Sequence, residues 1–382
     1  MSKIGIAFCF FLILTAFLVE TTLAQVSLQD SNKAAGVSNM IYQPVFIPAN
    51  NSDIQYFGRW DMADSLNPTH SWPGVYIYAE FSGTSIGVRM NDTTNYYNVY
   101  IDGKLHSIFH GNKPEDADYI LADSLSNGHH TFRFSQRNIS FDQIYTFSGL
   151  LLDKGAELFT PPPKPKRKIE FIGDSFTAAE GNEATEPEMN WVLKFPVTNI
   201  DKGFATIIAR HYKAQYHITA RSGIGMVCDW QGNFNVSMPH YFDRTLMERS
   251  EPKWDFNKWV PNLVVICLGL NDISGLKGKD TVVSETNSEV FRNGYKQFLA
   301  AVWKAYPGVK IVAVAAYPKW IRKNVRQVVD DEMAEGHKDI YYTHFDFFPG
   351  GYVANGHPTV ATHRKMANEI IKAIESFKIF KK

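Results

Sequence analysis

Apolar positions change their spacing partway along the chain. From Ile54 to about Asp153 they come in short runs rich in β-branched and aromatic residues: Val75–Phe81, Ile86–Met90, Tyr97–Ile101 and His130–Phe134. Such residues suit a pleated, half-buried surface. Ser82-Gly83, Asp102-Gly103 and Asn127-Gly128 separate the runs. Asp-Gly and Asn-Gly tolerate positive φ and favour tight hairpins. No helical period intervenes, so residues 40–160 are expected to form an all-β, jelly-roll-like sandwich.

Residues 161–168 read Pro-Pro-Pro-Lys-Pro-Lys-Arg-Lys, an extended, semi-rigid spacer taken as the domain boundary. Beyond it the pattern alternates. Ile169–Ile172, Tyr216–Thr219, Leu263–Leu268 and Val309–Ala315 read as strands. The last two are continuous apolar runs, as parallel strands covered on both faces require. Phe291–Tyr306 reads as a helix, and Met366, Ile370, Ile374 and Phe377 mark the buried face of another. Residues 169–382 are therefore expected to be α/β with a mostly parallel sheet.

Residues 1–24 read as an export signal: Lys3, then an apolar run from Ile4 to Val19 broken by Thr15, then Thr22-Leu23-Ala24 before the cut. The run is short for a membrane anchor, so a secreted or periplasmic protein is expected. Losing the signal removes Cys9 and leaves Cys228 and Cys267, whose pairing the sequence leaves open. The 39 Lys+Arg balance 39 Asp+Glu, which speaks against a polybasic nucleic-acid binder. Aromatics reach 14%, which fits β-structure or a surface that stacks on sugar rings. Two cysteines without a His-Glu-x-x-His pattern make no zinc cluster.

Four short blocks carry candidate chemistry. Gly173-Asp174-Ser175 ends the strand that opens the second half, where open α/β sheets place ligands and nucleophiles. Ala220–Gly225 follows the strand Tyr216–Thr219, and a glycine there can offer its N–H to an oxyanion. Gly269-Leu-Asn271-Asp272 follows Leu263–Leu268 and places a neutral amide donor at a strand tip. Gly356-His357-Pro358-Thr359 precedes the last helix and supplies a general base. Singly, each also reads as a turn, a helix cap or a structural histidine.

Together, in this order, they resemble the SGNH (GDSL-type) hydrolases over roughly Lys168 to Phe377. The resemblance implies a three-layer α/β/α domain. It makes Ser175 the nucleophile and His357 the base. The N–H groups of Ser175 and Gly223 and the side chain of Asn271 would form the oxyanion hole. A β-sandwich ahead of such a domain, with the ending Gly356–Ala367, is most similar to carbohydrate esterase family two. That implies a secreted acetyl esterase acting on acetylated xylan or mannan through an acetyl-enzyme, with no metal or organic cofactor and no nucleic-acid partner.

One position departs from the wider superfamily. The acid expected three residues before His357 is Ala354. A backbone carbonyl there, Asn355, or Asp346 on a folded-back loop are the candidates for orienting the imidazole. A Ser–His dyad is the favoured reading. Trp230, close after the glycine block, and Trp191 are candidate sugar platforms, with core packing as the alternative. Gly83–Gly87 matches G-x-S-x-G but lacks the strand–turn–helix setting, so Ser85 is not read as a nucleophile. Two alternatives remain: a lipase or thioesterase on the same fold, or an inactive carbohydrate-binding protein.

Overall fold

The computed structural model describes residues 44–141 and 143–380; the expected signal over residues 1–24 lies outside them. The N-terminal half contains β1 (Val45–Pro48), β2 (Gln55–Phe57), β3 (Thr69–His70), β4 (Tyr76–Gly83), β5 (Ile86–Asn91), β6 (Tyr96–Ile101), β7 (Lys104–His110), β8 (Ala117–Ala122), β9 (Gly128–Gln136), β10 (Tyr145–Leu152) and β11 (Leu158–Phe159). One sheet runs β1-β10-β5-β8 with β3 on β10, and the other runs β11-β4-β9-β6-β7 with β2 on β4. Ile77, Phe81 and Phe134 from the second sheet meet Val88, Phe147 and Leu150 from the first in one buried core. This is the sandwich the short apolar runs predict.

The hairpin expectations divide. Asp102 and Gly103 do turn the chain between β6 and β7, with φ of 52° and 72°. Asn127-Gly128 does not: Gly128 opens β9, and Ser124 takes the left-handed position at φ 56°. Strands β7 and β10 were not legible. The first lies at a sheet edge, largely exposed, and lacks an apolar pattern; the second is buried along most of its length and lacks alternation.

The C-terminal half contains β12 (Arg167–Gly173), α1 (Phe204–His211), β13 (Ala214–Ala220), β14 (Leu263–Cys267), α2 (Leu270–Lys277), α3 (Glu285–Ala305), β15 (Lys310–Ala315), α4 (Lys319–Ala334), β16 (Ile340–His344), β17 (Tyr352–Val353), β18 (His357–Pro358) and α5 (Val360–Ser376). A parallel sheet runs β13-β12-β14-β15-β16. Every residue of β14 is buried, so both sheet faces are covered there. Helix α1 packs on α5, and α3 on α4. Thr359 caps α5 by accepting from the Thr362 N–H, and Met366, Ile370 and Ile374 form its buried face. Among the described residues no helix is long and apolar enough to cross a membrane.

The Pro/Lys stretch is tied down along its length. Pro162 O accepts from Gln55 Nε2 at 2.8 Å, Lys164 Nζ donates to Tyr56 O at 2.8 Å, and Pro165 O accepts from Gln215 Nε2 at 2.5 Å. Arg167 and Lys168, expected in the spacer, already pair with Ala214 and Gln215 as part of β12. A parallel strand needs only its backbone groups, so their charged side chains did not prevent it.

Three arginines of the sandwich reach three acids of the α/β half. Arg133 Nη2 donates to Asp201 Oδ1 at 2.6 Å, and Arg137 pairs with Glu183. Burial alone would raise the Asp201 carboxyl, but Arg133 and Asn98 outweigh it and hold it low. Arg59 is the most enclosed. Its Nη2 donates to Glu170 Oε1 at 2.7 Å and its Nη1 to Phe242 O at 2.6 Å, with both charged side chains at 0–1% exposure. Breaking a buried pair strands a charge, at a cost of about 3–5 kcal/mol, whereas removing both partners is far milder. Arg59→Met is therefore expected to lower the unfolding free energy by about that amount, with Arg59→Met/Glu170→Gln recovering much of it. Urea titration measures both. Equal losses in the two proteins would show that the charge pair does not carry the effect.

Candidate active site

The sheet order places three strand ends side by side. Gly173 of β12 pairs with Ala220 of β13 and with Cys267 of β14. The chain leaves these ends into Asp174-Ser175, Arg221–Gly225 and Gly269–Asn271. Three of the four sequence blocks therefore share one edge because of strand order, though 96 residues separate Ser175 from Asn271.

Ser175 is 9% exposed, and its N–H donates to nothing among the described residues. Asp174 beside it accepts from the Phe176 N–H at 3.0 Å through Oδ1, while Oδ2 is buried without a partner among the described residues. Gly223 has φ +78°, and a Cβ there would lie 3.1 Å from Trp230 Cδ1, so glycine alone fits without strain. Its carbonyl accepts from the Trp230 N–H at 3.1 Å, and its own N–H is unused among the described residues. Asn271 donates one amide hydrogen to Ile224 O at 2.8 Å, which leaves the second for another acceptor. The geometry thus leaves three donors on adjacent loops without acceptors.

Asn271-Asp272 is not a helix cap; Gly269 occupies that position. Asp272 instead accepts from Met226 N at 2.7 Å, Val227 N at 2.8 Å and Cys228 N at 3.4 Å. This carboxylate clamps the loop that carries Gly223 and Trp230. Burial pushes it up to about 6 despite those three N–H groups. Sequence reading did not single out this role, because the clamped backbone lies 44–46 residues upstream.

His357 enters on a small ribbon in which Val353 faces it across β17 and β18. The turn residues Ala354, Asn355 and Gly356 have φ of 44°, 67° and 85°. This left-handed run carries the Ala354 carbonyl to 2.6 Å from His357 Nδ1. A carbonyl only accepts, so Nδ1 holds the hydrogen and Nε2 presents its lone pair. The turn is anchored from outside: Ala354 N donates to Glu186 O at 2.8 Å and Asn355 N to Pro187 O at 2.7 Å. The Asn355 side chain accepts from Met189 N at 3.1 Å, away from the imidazole. Asp346 accepts from Arg322 Nη2 at 2.6 Å, so that carboxylate is engaged elsewhere. Of the three candidates named for orienting the ring, the Ala354 carbonyl is the one bonded to it.

Trp230 is 57% exposed beside Gly223, which removes the core-packing alternative for it. Trp191 is half-buried and stacks on Phe141 of the sandwich half at 4.9 Å, so one of its faces is occupied. Cys228 and Cys267 are free and buried. Ser85 donates to Asp153 Oδ1 at 2.5 Å between β4 and β5, a structural role for the G-x-S-x-G match. Among the described residues no group of three or more His, Cys, Asp or Glu is placed to hold a metal ion.

Residues 56–162 match the carbohydrate esterase 2 N-terminal family, and residues 171–378 match the GDSL-like lipase/acylhydrolase family. The cellulase/esterase CelE of Acetivibrio thermocellus is 30% identical over 336 residues, 86% of this chain and 40% of that protein. An acetylxylan esterase / glucomannan deacetylase of Cellvibrio japonicus is 33% identical over 207 residues, 54% of this chain and 56% of that protein. The chain spans about half the length of these two curated relatives. A family two carbohydrate esterase from Clostridium thermocellum, solved in complex with cellohexaose, has a TM-score of 0.77 at 29% identity, covering 85% of this chain and 98% of that one.

Burial pushes the Asp174 carboxyl up to about 7 from the ordinary value of 3.8. The folded state then keeps a proton that the unfolded chain gives up above its lower pKa. That contribution is complete below 3.8 and is lost as pH rises through about 7, on the order of 1.4 kcal/mol per unit. Asp174→Asn is expected to gain on the wild type as pH rises from about 5 to about 8, because the variant lacks this slope. Urea titration across that range measures it. Parallel pH profiles would assign the slope to another group.

Proposed function

The chain belongs to the family two carbohydrate esterases of the GDSL-like lipase/acylhydrolase family, and from that membership we propose that it removes O-acetyl groups from plant polysaccharides such as acetylated xylan and mannan. One observation carries the mechanism: Nδ1 of His357 is committed to the Ala354 carbonyl at 2.6 Å, which leaves Nε2 as the proton acceptor. Ser175 Oγ attacks the acetyl carbonyl while Nε2 takes its proton. The oxyanion is met by the N–H groups of Ser175 and Gly223 and the second amide hydrogen of Asn271. The intermediate collapses, Nε2–H protonates the leaving sugar oxygen, and the acetyl group stays on Ser175. His357 then deprotonates a water that attacks the acetyl-enzyme. Acetate leaves and the serine regains its proton.

Trp230 is the sugar platform in this reading. Its exposed ring stands on the loop of the oxyanion glycine, where the apolar face of a pyranose can stack. Export by the leader at residues 1–24 would bring the enzyme to its polymeric substrate. The Pro/Lys stretch, ending at Lys166 before β12 begins, divides a supporting sandwich from the catalytic domain.

Acetate release from acetylated xylan and mannan by the mature wild-type chain and by Ser175→Ala tests the proposal. The variant is expected to lose about 10³-fold or more in kcat. Unchanged turnover would remove Ser175 as the nucleophile, and activity confined to a long-chain ester would keep the mechanism but discard the carbohydrate substrate. Trp230→Ala is expected to raise KM on the acetylated polymers several-fold, with a much smaller effect on p-nitrophenyl acetate. Equal effects on both substrates would deny it the stacking role.

A further inference from the structure

Proton transfer from Ser175 makes His357 a cation, and the Ala354 carbonyl at Nδ1 is a neutral acceptor. An imidazolium there is less stabilised than one beside a carboxylate. The other side of the ring carries the charge that Nδ1 lacks. Glu180 Oε1 lies 3.6 Å from His357 Nε2 and accepts from Lys194 Nζ at 2.7 Å. The two side chains are 4% and 8% exposed. Among the described residues, Glu180 Oε2 is buried without a hydrogen-bond partner.

Burial does not by itself set this pair apart, since Arg59–Glu170 is as enclosed; its place beside the His357 ring does. Burying a Lys–Glu pair is costly, and apolar residues of similar volume serve a fold as well or better. An orphaned carboxylate oxygen adds to the cost. The backbone beside the pair also abuts the turn that orients the ring. Gly181, next to Glu180, has φ +63°, and a Cβ on it would lie 2.6 Å from the Ala354 Cβ. The Gly181 N–H donates to Thr198 Oγ1 at 2.8 Å, and Thr198 Oγ1 donates to Lys194 O at 2.7 Å. Gly181, the residue after Glu180, therefore rests directly against the turn whose carbonyl holds Nδ1.

We propose that Glu180 stabilises the His357 imidazolium from the Nε2 side, with Lys194 fixing the carboxylate and limiting its influence. Glu180 is a positioning residue that acts through His357, and the idea rests on His357 being the base. At 3.6 Å the carboxylate is too far to capture the Nε2 proton, yet close enough for strong Coulomb attraction in a buried setting. The proton thus stays available for the leaving sugar oxygen. Among the described residues, two further titratable groups bear on this cluster. His363 on α5 is held neutral by burial, down to about 3, and Asp174 lies close enough to feel the Glu180 charge.

The experiment compares the full chain with Glu180→Gln, Lys194→Met and the double variant. One readout is the NMR titration of the His357 imidazole, assigned by its loss in His357→Gln. The other is the pH profile of kcat/KM on p-nitrophenyl acetate. Glu180→Gln is expected to lower the His357 midpoint and the acid limb by about one pH unit, with kcat down about tenfold and KM near the wild-type value. Lys194→Met, which frees the carboxylate, is expected to move both upward. The double variant buries no charge, so it guards against misfolding of either single variant, and it should follow Glu180→Gln. A purely structural pair would not produce opposite shifts. Midpoints that coincide with the wild type, or that move the same way in both single variants, would overturn the proposal. If Ser175→Ala kept full turnover, the esterase mechanism would fall, and the NMR midpoints would still decide whether Glu180 biases His357.

Discussion

Strand β12 bears two duties within seven residues. At Glu170 it accepts the buried guanidinium of Arg59 from the sandwich, and at Gly173 it delivers the chain to Ser175. Its neighbours β13 and β14 pair with it in register, so their ends arrive at the same level as Gly173. The loops carrying Gly223 and Asn271 meet at that level, where Asn271 and Asp272 bond them together. A shift of β12 would move the serine and the docking of the sandwich together, since a parallel ladder sets both.

Around that strand the protein keeps charge in places where apolar packing would be cheaper. Glu170, Asp174, Asp272 and Glu180 are all buried near the same sheet edge or strand. Each answers to a geometric need more than a stability need. Glu170 collects Arg59 and the Thr219 hydroxyl, Asp272 gathers three backbone N–H groups, and Asp174 accepts from the Phe176 N–H just after the serine. Directional hydrogen bonds fix loops to within tenths of an ångström, which dispersion contacts do less sharply. The loops carrying Ser175 and Gly223 are thereby held by directional bonds from their own neighbourhood.

The His357 turn shows how a missing acid is accommodated. Ala354 accepts a left-handed backbone, which is strained for a residue with a Cβ. The backbone bonds from Ala354 and Asn355 to Glu186 and Pro187 hold it there. Met189 N donates to the Asn355 side chain as well, so one short stretch, 186–189, braces the turn before His357.

Much of this was legible in the residues themselves. Alternating and continuous apolar runs foretold a sandwich and then a parallel sheet, because side-chain periodicity reports which faces are buried. The blocks around Ser175, Gly223, Asn271 and His357 stood out because turns at strand ends demand particular residue types. Strand β7 was silent because an exposed edge needs no apolar pattern, and the Asn127-Gly128 turn misled because local preference yields to strand register. Tertiary structure alone chose among Ala354, Asn355 and Asp346 for the imidazole, brought Glu180 and Lys194 together across 14 residues, and left Trp230 at the surface. Sequence determines periodicity and local conformational cost, since these belong to neighbouring residues. Which carboxylate or carbonyl meets a given nitrogen depends on distances between segments, and only the packed chain decides those.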